Sequence, residues 1–330
     1  MLKKATGERG RNLFSDLVSS PKTHTALPSI TRPSALPPGH HLVYFPPQVT
    51  LSQLLPDGTD TLHTPGTPFN RRLWAGGGVR FLSTNKLILD GGRAACIEGI
   101  RDVIVKGHPG EEKIIVKIER RIGAVLDENE AESDIRDRIW SGEDGGVHPS
   151  IIESRDLVFM RDKTPSQLEL DKAKFSQVSR TIKRVLSSTN MEENLLTRFF
   201  AVEAPTNPEF RYPIMPTKAL LFRFSALTFN AHLIHLDKNY TQNVEGYRNL
   251  LVHGPLTLTL LLTALRRHLD GKGTAITDIE YKNLAPLYVE EELTICGKPK
   301  SINNEAAWDV WIEGSDGGLA VRGTTRVDVA

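Results

Sequence analysis

Apolar and polar positions along the chain alternate in two distinct textures. Arg71 to Phe81, Gly99 to Lys106, Lys113 to Arg120 and Glu153 to Met160 carry β-branched residues in partial period-two alternation, bounded by Gly, Pro or Asp, and predict strands. Between the last two, the acidic, glycine-containing stretch Asp127 to Gly146 predicts a solvated loop. Ser166 to Ser187 has helical spacing and mixed charge. Pro255 to Leu269 is different: leucines at 256, 258, 260, 261, 262 and 265 leave almost no polar face, which predicts a largely buried helix. Pro255 suits a first helical position, Arg266, Arg267 and His268 favour the negative helix end, and Gly271 is a stop. Strand candidates follow at Ala275 to Lys282, Glu291 to Gly297, Ala307 to Glu313 and Leu319 to Val327. One buried helix followed by consecutive antiparallel strands is an α+β arrangement with the sheet wrapped around the helix.

This texture divides the chain into an N-terminal extension over 1–40, a first unit over 41–163, a connector over 164–210 and a second unit over 211–330. Pro21, Pro28, Pro33, Pro37 and Pro38 make the end of the extension a strap. A formal net charge of +1 gives no bulk attraction to nucleic acid or a charged membrane. The run Leu256 to Leu265 is far shorter than the roughly 20 apolar residues of a membrane-spanning helix. Cys96 and Cys296 make no disulfide framework and no zinc spacing, which fits a reducing compartment. Lys3, Lys4, Arg9 and Arg11, followed by Ser15, Ser19 and Ser20, admit a mitochondrial presequence; the alternative is an untargeted, cytoplasmic protein.

Candidate chemistry concentrates in one place. Of ten histidines, His232, His235 and His253 fall within 22 residues, and Asn230, His232 and His235 are set among Leu227, Phe229, Leu233, Ile234 and Leu236. An imidazole in apolar surroundings must hydrogen-bond or lose its charge, which suits it to proton transfer. One such histidine is usually a satisfied core residue; three beside a Gly-Pro helix start point to a site. The unpaired N–H groups of that start let Gly254 donate to an anionic oxygen, such as the one that develops when an acyl thioester loses its Cα proton.

The stretches FSALTFNAHLIHLD (Phe224 to Asp237) and LLVHGPL (Leu250 to Leu256), with the leucine helix, resemble the MaoC-like hotdog dehydratases, above all the fungal mitochondrial 3-hydroxyacyl-thioester dehydratases and mesaconyl-C4-CoA hydratase-like proteins. LPPGHHLVYFPP, RRLWAGGGVRF, DLVFM and LAPLYVEEELTICGKP extend the resemblance over most of 36–330. It implies two hotdog units in one chain, a degenerate first and a catalytic second. The wider R-specific enoyl hydratases use an Asp and, five residues later, a His. Here the His position is His235, but the Asp position is Asn230, which cannot accept a proton although it can position water. The resemblance therefore implies His235 as acid/base, Asn230 as holder of water or the departing hydroxyl, His232 in support, and His253 and Gly254 at the substrate, with Gly254 N–H on the thioester carbonyl. It implies no cofactor, and the histidines lack a carboxylate at a metal-ligand spacing.

The expected reaction is reversible dehydration of (3R)-3-hydroxyacyl thioesters, carried by acyl carrier protein or CoA, as in mitochondrial fatty-acid synthesis. Two alternatives stay open. One is hydration of a short branched or dicarboxylic acyl-CoA or a specialised-metabolism substrate; the other is a non-catalytic thioester-binding protein, which Asn230 keeps in view. A homodimer is one assembly this reading admits. Gly76-Gly77-Gly78 lacks the Lys-Ser/Thr of a phosphate loop and reads as a tight bend, and Cys296 as a packed side chain.

Overall fold

A computed structural model describes residues 33–82, 85–140, 149–176 and 204–329. Residues 1–32 of the extension and possible targeting segment expected over 1–40, and most of the connector expected over 164–210, lie outside these residues. Among the described residues nine strands form one antiparallel sheet in the order β2-β3-β4-β1-β6-β9-β8-β7-β5. β1 (Arg71–Phe81), β2 (Ala94–Lys106), β3 (Lys113–Ala124) and β4 (Ile151–Met160) come from the first half. β5 (Phe210–Ile214), β6 (Thr274–Asn283), β7 (Leu293–Ile302), β8 (Glu305–Glu313) and β9 (Leu319–Val329) come from the second. The halves meet where β1 pairs with β6, Gly78 opposite Glu280 and Val79 opposite Ile279.

The glycine triplet is at that junction and is not a bend. It runs on as strand, with a register shift between Trp74 and Gly76. The reason is steric: a Cβ on Gly76 would lie 2.3 Å from Tyr281 O, and one on Gly77 2.0 Å from Ser154 O. Only glycine lets β1 pass this close to β6 on one side and β4 on the other.

The leucine-rich helix α5 (Gly254–Leu269) is the axis of the second half. Leu256, Leu258, Leu260, Leu261, Leu262 and Leu265 are fully buried, and they share one core cluster with Val79, Ile122 and Ile151 of the first half. Its buried threonines return their hydroxyls to the helix: Thr257 to Gly254 O at 2.7 Å, Thr259 to Pro255 O at 2.9 Å and Thr263 to Thr259 O at 2.7 Å. Polar residues are thereby buried without unpaired groups. The short 3₁₀ turn His40–Val43 seats on α5, where a Cβ on Gly39 would meet Thr259 Cα at 3.3 Å.

The first half has no long central helix among the described residues. Its helix α1 (Glu132–Trp140) falls inside the stretch expected to be a solvated loop, because Ile135 and Ile139, four apart, both bury against the sheet. The acidic composition hid a two-residue apolar stripe. Helix α2 (Pro165–Ser176) matches the start of the helical stretch expected from 166. Cys296 is fully buried.

Candidate active site

The site is assembled by a run of short, capped elements. Helix α3 (Lys218–Thr228) begins at Thr217, whose side chain accepts Leu220 N–H, and ends at Phe229 in the left-handed region with φ 51°. The chain then reverses: Asn230 N–H donates back to Ser225 O, and Asn230 Oδ1 accepts His232 N–H at 3.0 Å. A 3₁₀ turn, Leu233–His235, follows, then helix α4 (Lys238–Asn243), capped by Asp237, whose side chain accepts Tyr240 N–H. Asp237, the acid nearest the histidines in sequence, is thus occupied as a helix cap.

Residues 250–253 run back beside this turn and position the imidazoles. Leu251 N–H donates to Ile234 O, and Leu251 O accepts Nδ1–H of His235 at 2.8 Å. With Nδ1 carrying the proton, Nε2 of His235 keeps its lone pair. Burial, opposed by the Leu251 hydrogen bond and assisted by Arg72, lowers the His235 pKa to about 4. The imidazole is therefore neutral near pH 7 and ready to accept a proton. His232 and His253 are also held well below the usual imidazole range, by burial first and then, in both, by His235.

His235 and Gly254 line the same cavity of about 440 Å³, together with Asn230, His232, Trp74 and Asn283. Gly254 is the first residue of α5, so its N–H has no partner within the helix. Its lack of a side chain matters here: a Cβ would lie 2.9 Å from Asn283 Nδ2 and 3.4 Å from Trp74 Cβ. Asn283 Nδ2 donates to Trp74 O, so the helix start is wedged between β1 and β6. His253 is placed differently. It is fully buried, is absent from the residues lining that cavity, and stacks behind His235 with ring centroids 3.7 Å apart while its Nε2 bonds Ser225 Oγ at 2.9 Å.

Sequence reasoning missed Asp57, which meets His232 from the first half with Oδ2 3.5 Å from Nε2. No local pattern near Pro56-Asp57-Gly58 announces this contact; it is created by folding across more than 170 positions of chain. Three basic residues of the second half are committed to ion pairs, Arg211 with Glu313, Lys218 with Glu290 and Arg248 with Glu291. Among the described residues no group of three or more His, Cys, Asp or Glu could hold a metal ion, and no helix is long and apolar enough to cross a membrane.

The family model described as hydroxyacyl-thioester dehydratase type 2 matches residues 39–203 and 200–289. The chain belongs to the hydroxyacyl-thioester dehydratase type 2 family. Mesaconyl-C(4)-CoA hydratase of Chloroflexus aurantiacus is 29% identical over 301 residues, covering 90% of this chain and 85% of that protein. The mitochondrial hydroxyacyl-thioester dehydratase type 2 of Schizosaccharomyces pombe is 26% identical, covering 80% of this chain and 78% of its own. A MaoC-like dehydratase from Phytophthora capsici has the same fold, with a TM-score of 0.56 at 13% identity over 98% of this chain and 93% of that one. The chain is accordingly a hydro-lyase built from two hotdog units.

Proposed function

We propose that the chain catalyses the reversible loss of water from (3R)-3-hydroxyacyl thioesters to give trans-2-enoyl thioesters. The single observation that supports this most is that an imidazole with a free lone pair, His235 Nε2, and an unpaired helix-start N–H, Gly254, face one cavity. In the dehydration direction His235 Nε2 takes the Cα proton. The C–H electrons move toward the carbonyl, and Gly254 N–H meets the developing negative oxygen. As the C3–O bond breaks, the imidazolium returns the proton to the departing hydroxyl, which leaves as water. Asn230, with its oxygen committed to His232 N–H, has its amide N–H groups to hold that hydroxyl. His232 supports the site from the cavity wall, and His253 backs His235 rather than touching the acyl group.

The catalytic apparatus then belongs to the unit over 211–330, with the unit over 41–163 covering it. A mitochondrial location and CoA as a carrier, in keeping with the names of the relatives, belong to the proposal, as do acyl carrier protein as the other carrier and a homodimer. The test is a panel of trans-2-enoyl thioesters, linear from C4 to C12 and short dicarboxylic, on both carriers, followed by loss of enoyl absorbance. Turnover of linear chains is expected. Binding without turnover on every member of the panel would leave a thioester-binding protein instead.

A further inference from the structure

The wider enoyl hydratases pair the catalytic histidine with an Asp five residues earlier, and here that position is Asn230. Among the described residues, Asp57 is the one carboxylate within 4 Å of any imidazole in the trio His232, His235 and His253. It comes from the other half of the chain. Its loop is fixed rather than loosely apposed. Leu54 and Asp60 bridge at its base, Leu55 N–H donates to Thr59 O, and Oδ1 of Asp57 accepts both the N–H and the hydroxyl of Thr59, at 2.9 and 2.7 Å.

The loop is also locked onto the site. Asp57 O accepts Leu233 N–H at 2.8 Å, and Gly58, at φ +80°, comes so close that a Cβ there would lie 2.0 Å from Ala231 O. These contacts hold Oδ1 in the turn and leave Oδ2 facing His232 Nε2. A carboxylate only 8% exposed needs such a partner.

We infer that Asp57 is a positioning residue for this active site, supplied by the first half of the chain: its Oδ2 takes Nε2–H of His232 and so fixes the tautomer and plane of an imidazole that lines the cavity. The 3.5 Å separation is long for a hydrogen bond, and the inference requires it to shorten in the substrate complex, as catalytic hydrogen bonds do. Burial first, and then His235, Arg72 and Arg71 facing it, hold the His232 pKa well below the usual imidazole range, so His232 stays neutral in this arrangement. Asp57 therefore acts as a hydrogen-bond acceptor, and Nδ1 of His232 is left as an acceptor. The first half of the chain is then part of the catalytic assembly and not only its cover.

This rests on the dehydratase reading above, and the test separates the two. Asp57→Asn keeps an oxygen for Thr59 while removing the anionic acceptor; Asp57→Ser serves the same purpose if the Asn variant does not fold. Both are assayed on a turned-over enoyl thioester, alone and combined with His232→Ala, beside His235→Ala as the reference. Asp57→Asn is expected to lower kcat by about tenfold or more, with KM and the denaturation midpoint unchanged. In the His232→Ala background it should cost nothing further, since the two act as a unit. Wild-type kcat in Asp57→Asn, a change in KM alone, or equal fold losses in both backgrounds overturns the inference. Retained activity in His235→Ala overturns instead the assignment of His235 as the base, and absence of turnover by the unsubstituted enzyme on every thioester removes the dehydratase reading itself.

Discussion

The imidazoles of His235 and His253 stack with centroids 3.7 Å apart and planes 22° from parallel, both buried, with His253 tied to Ser225. Two rings this close cannot both be protonated at ordinary pH, since each disfavours charge on the other. The stack keeps His235 a base, and it places the whole cluster on the neutral side of its titration.

That arrangement fixes the acid side of the pH behaviour. An unperturbed imidazole titrates near 6.5, whereas His235 is lowered to about 4 and His232 and His253 lie well below 6.5. Between about pH 6.5 and 4 the unfolded chain takes up protons that the folded cluster refuses. Stability is therefore full above the unfolded value and is lost as pH falls across that window. Denaturation midpoints measured from pH 7.5 down to 4.5 should fall progressively. The kcat/KM profile of the free enzyme should stay flat through pH 6 and lose activity only near about 4. An acidic limb centred at pH 6 to 7 is the contrary result.

Ser225→Ala tests the support beneath the stack. His253 Nδ1 is already buried without a partner, and the substitution strands Nε2 as well. An unpaired buried polar atom costs about 1–3 kcal/mol. A denaturant titration should read a loss of that size, accompanied by a fall in kcat as the ring behind His235 shifts. An unchanged midpoint and rate would mean that His253 is merely filling space.

Much of this architecture was legible in the sequence, for identifiable reasons. The α5 leucines and the strand texture after it depend on neighbours within a few residues, and His232, His235 and His253 crowd into 22 residues of chain, so local pattern sufficed. Interactions closed by the fold were not visible. Asp57 meets His232, and Asn283 meets Trp74 O, only after the halves join along β1 and β6. Helix α1 was masked because its two buried isoleucines are outnumbered by charges on its solvent faces. Gly76 and Gly77 resembled a bend because glycine marks close backbone approach and turns alike; only the neighbouring strands decide between them.

Gly254→Ala probes the other side of the cavity. The added methyl would lie 2.9 Å from Asn283 Nδ2 and 3.4 Å from Trp74 Cβ, both held by the β1–β6 junction. Relief requires moving the helix start, and with it the N–H assigned to the thioester oxygen. Loss of one such donor costs about 2.7–4 kcal/mol in transition-state stabilisation, so kcat/KM should fall by up to about two to three orders of magnitude with the helix content intact by circular dichroism. A variant that is folded and fully active would show that the amide is not used.

The most direct measurement is the rate of trans-2-enoyl thioester hydration by His235→Gln. Glutamine retains a side-chain N–H for the Leu251 carbonyl but has no nitrogen able to take and return a proton. The account predicts a folded protein whose kcat is lower by about a hundredfold or more. Turnover within a few-fold of the unsubstituted enzyme would contradict it.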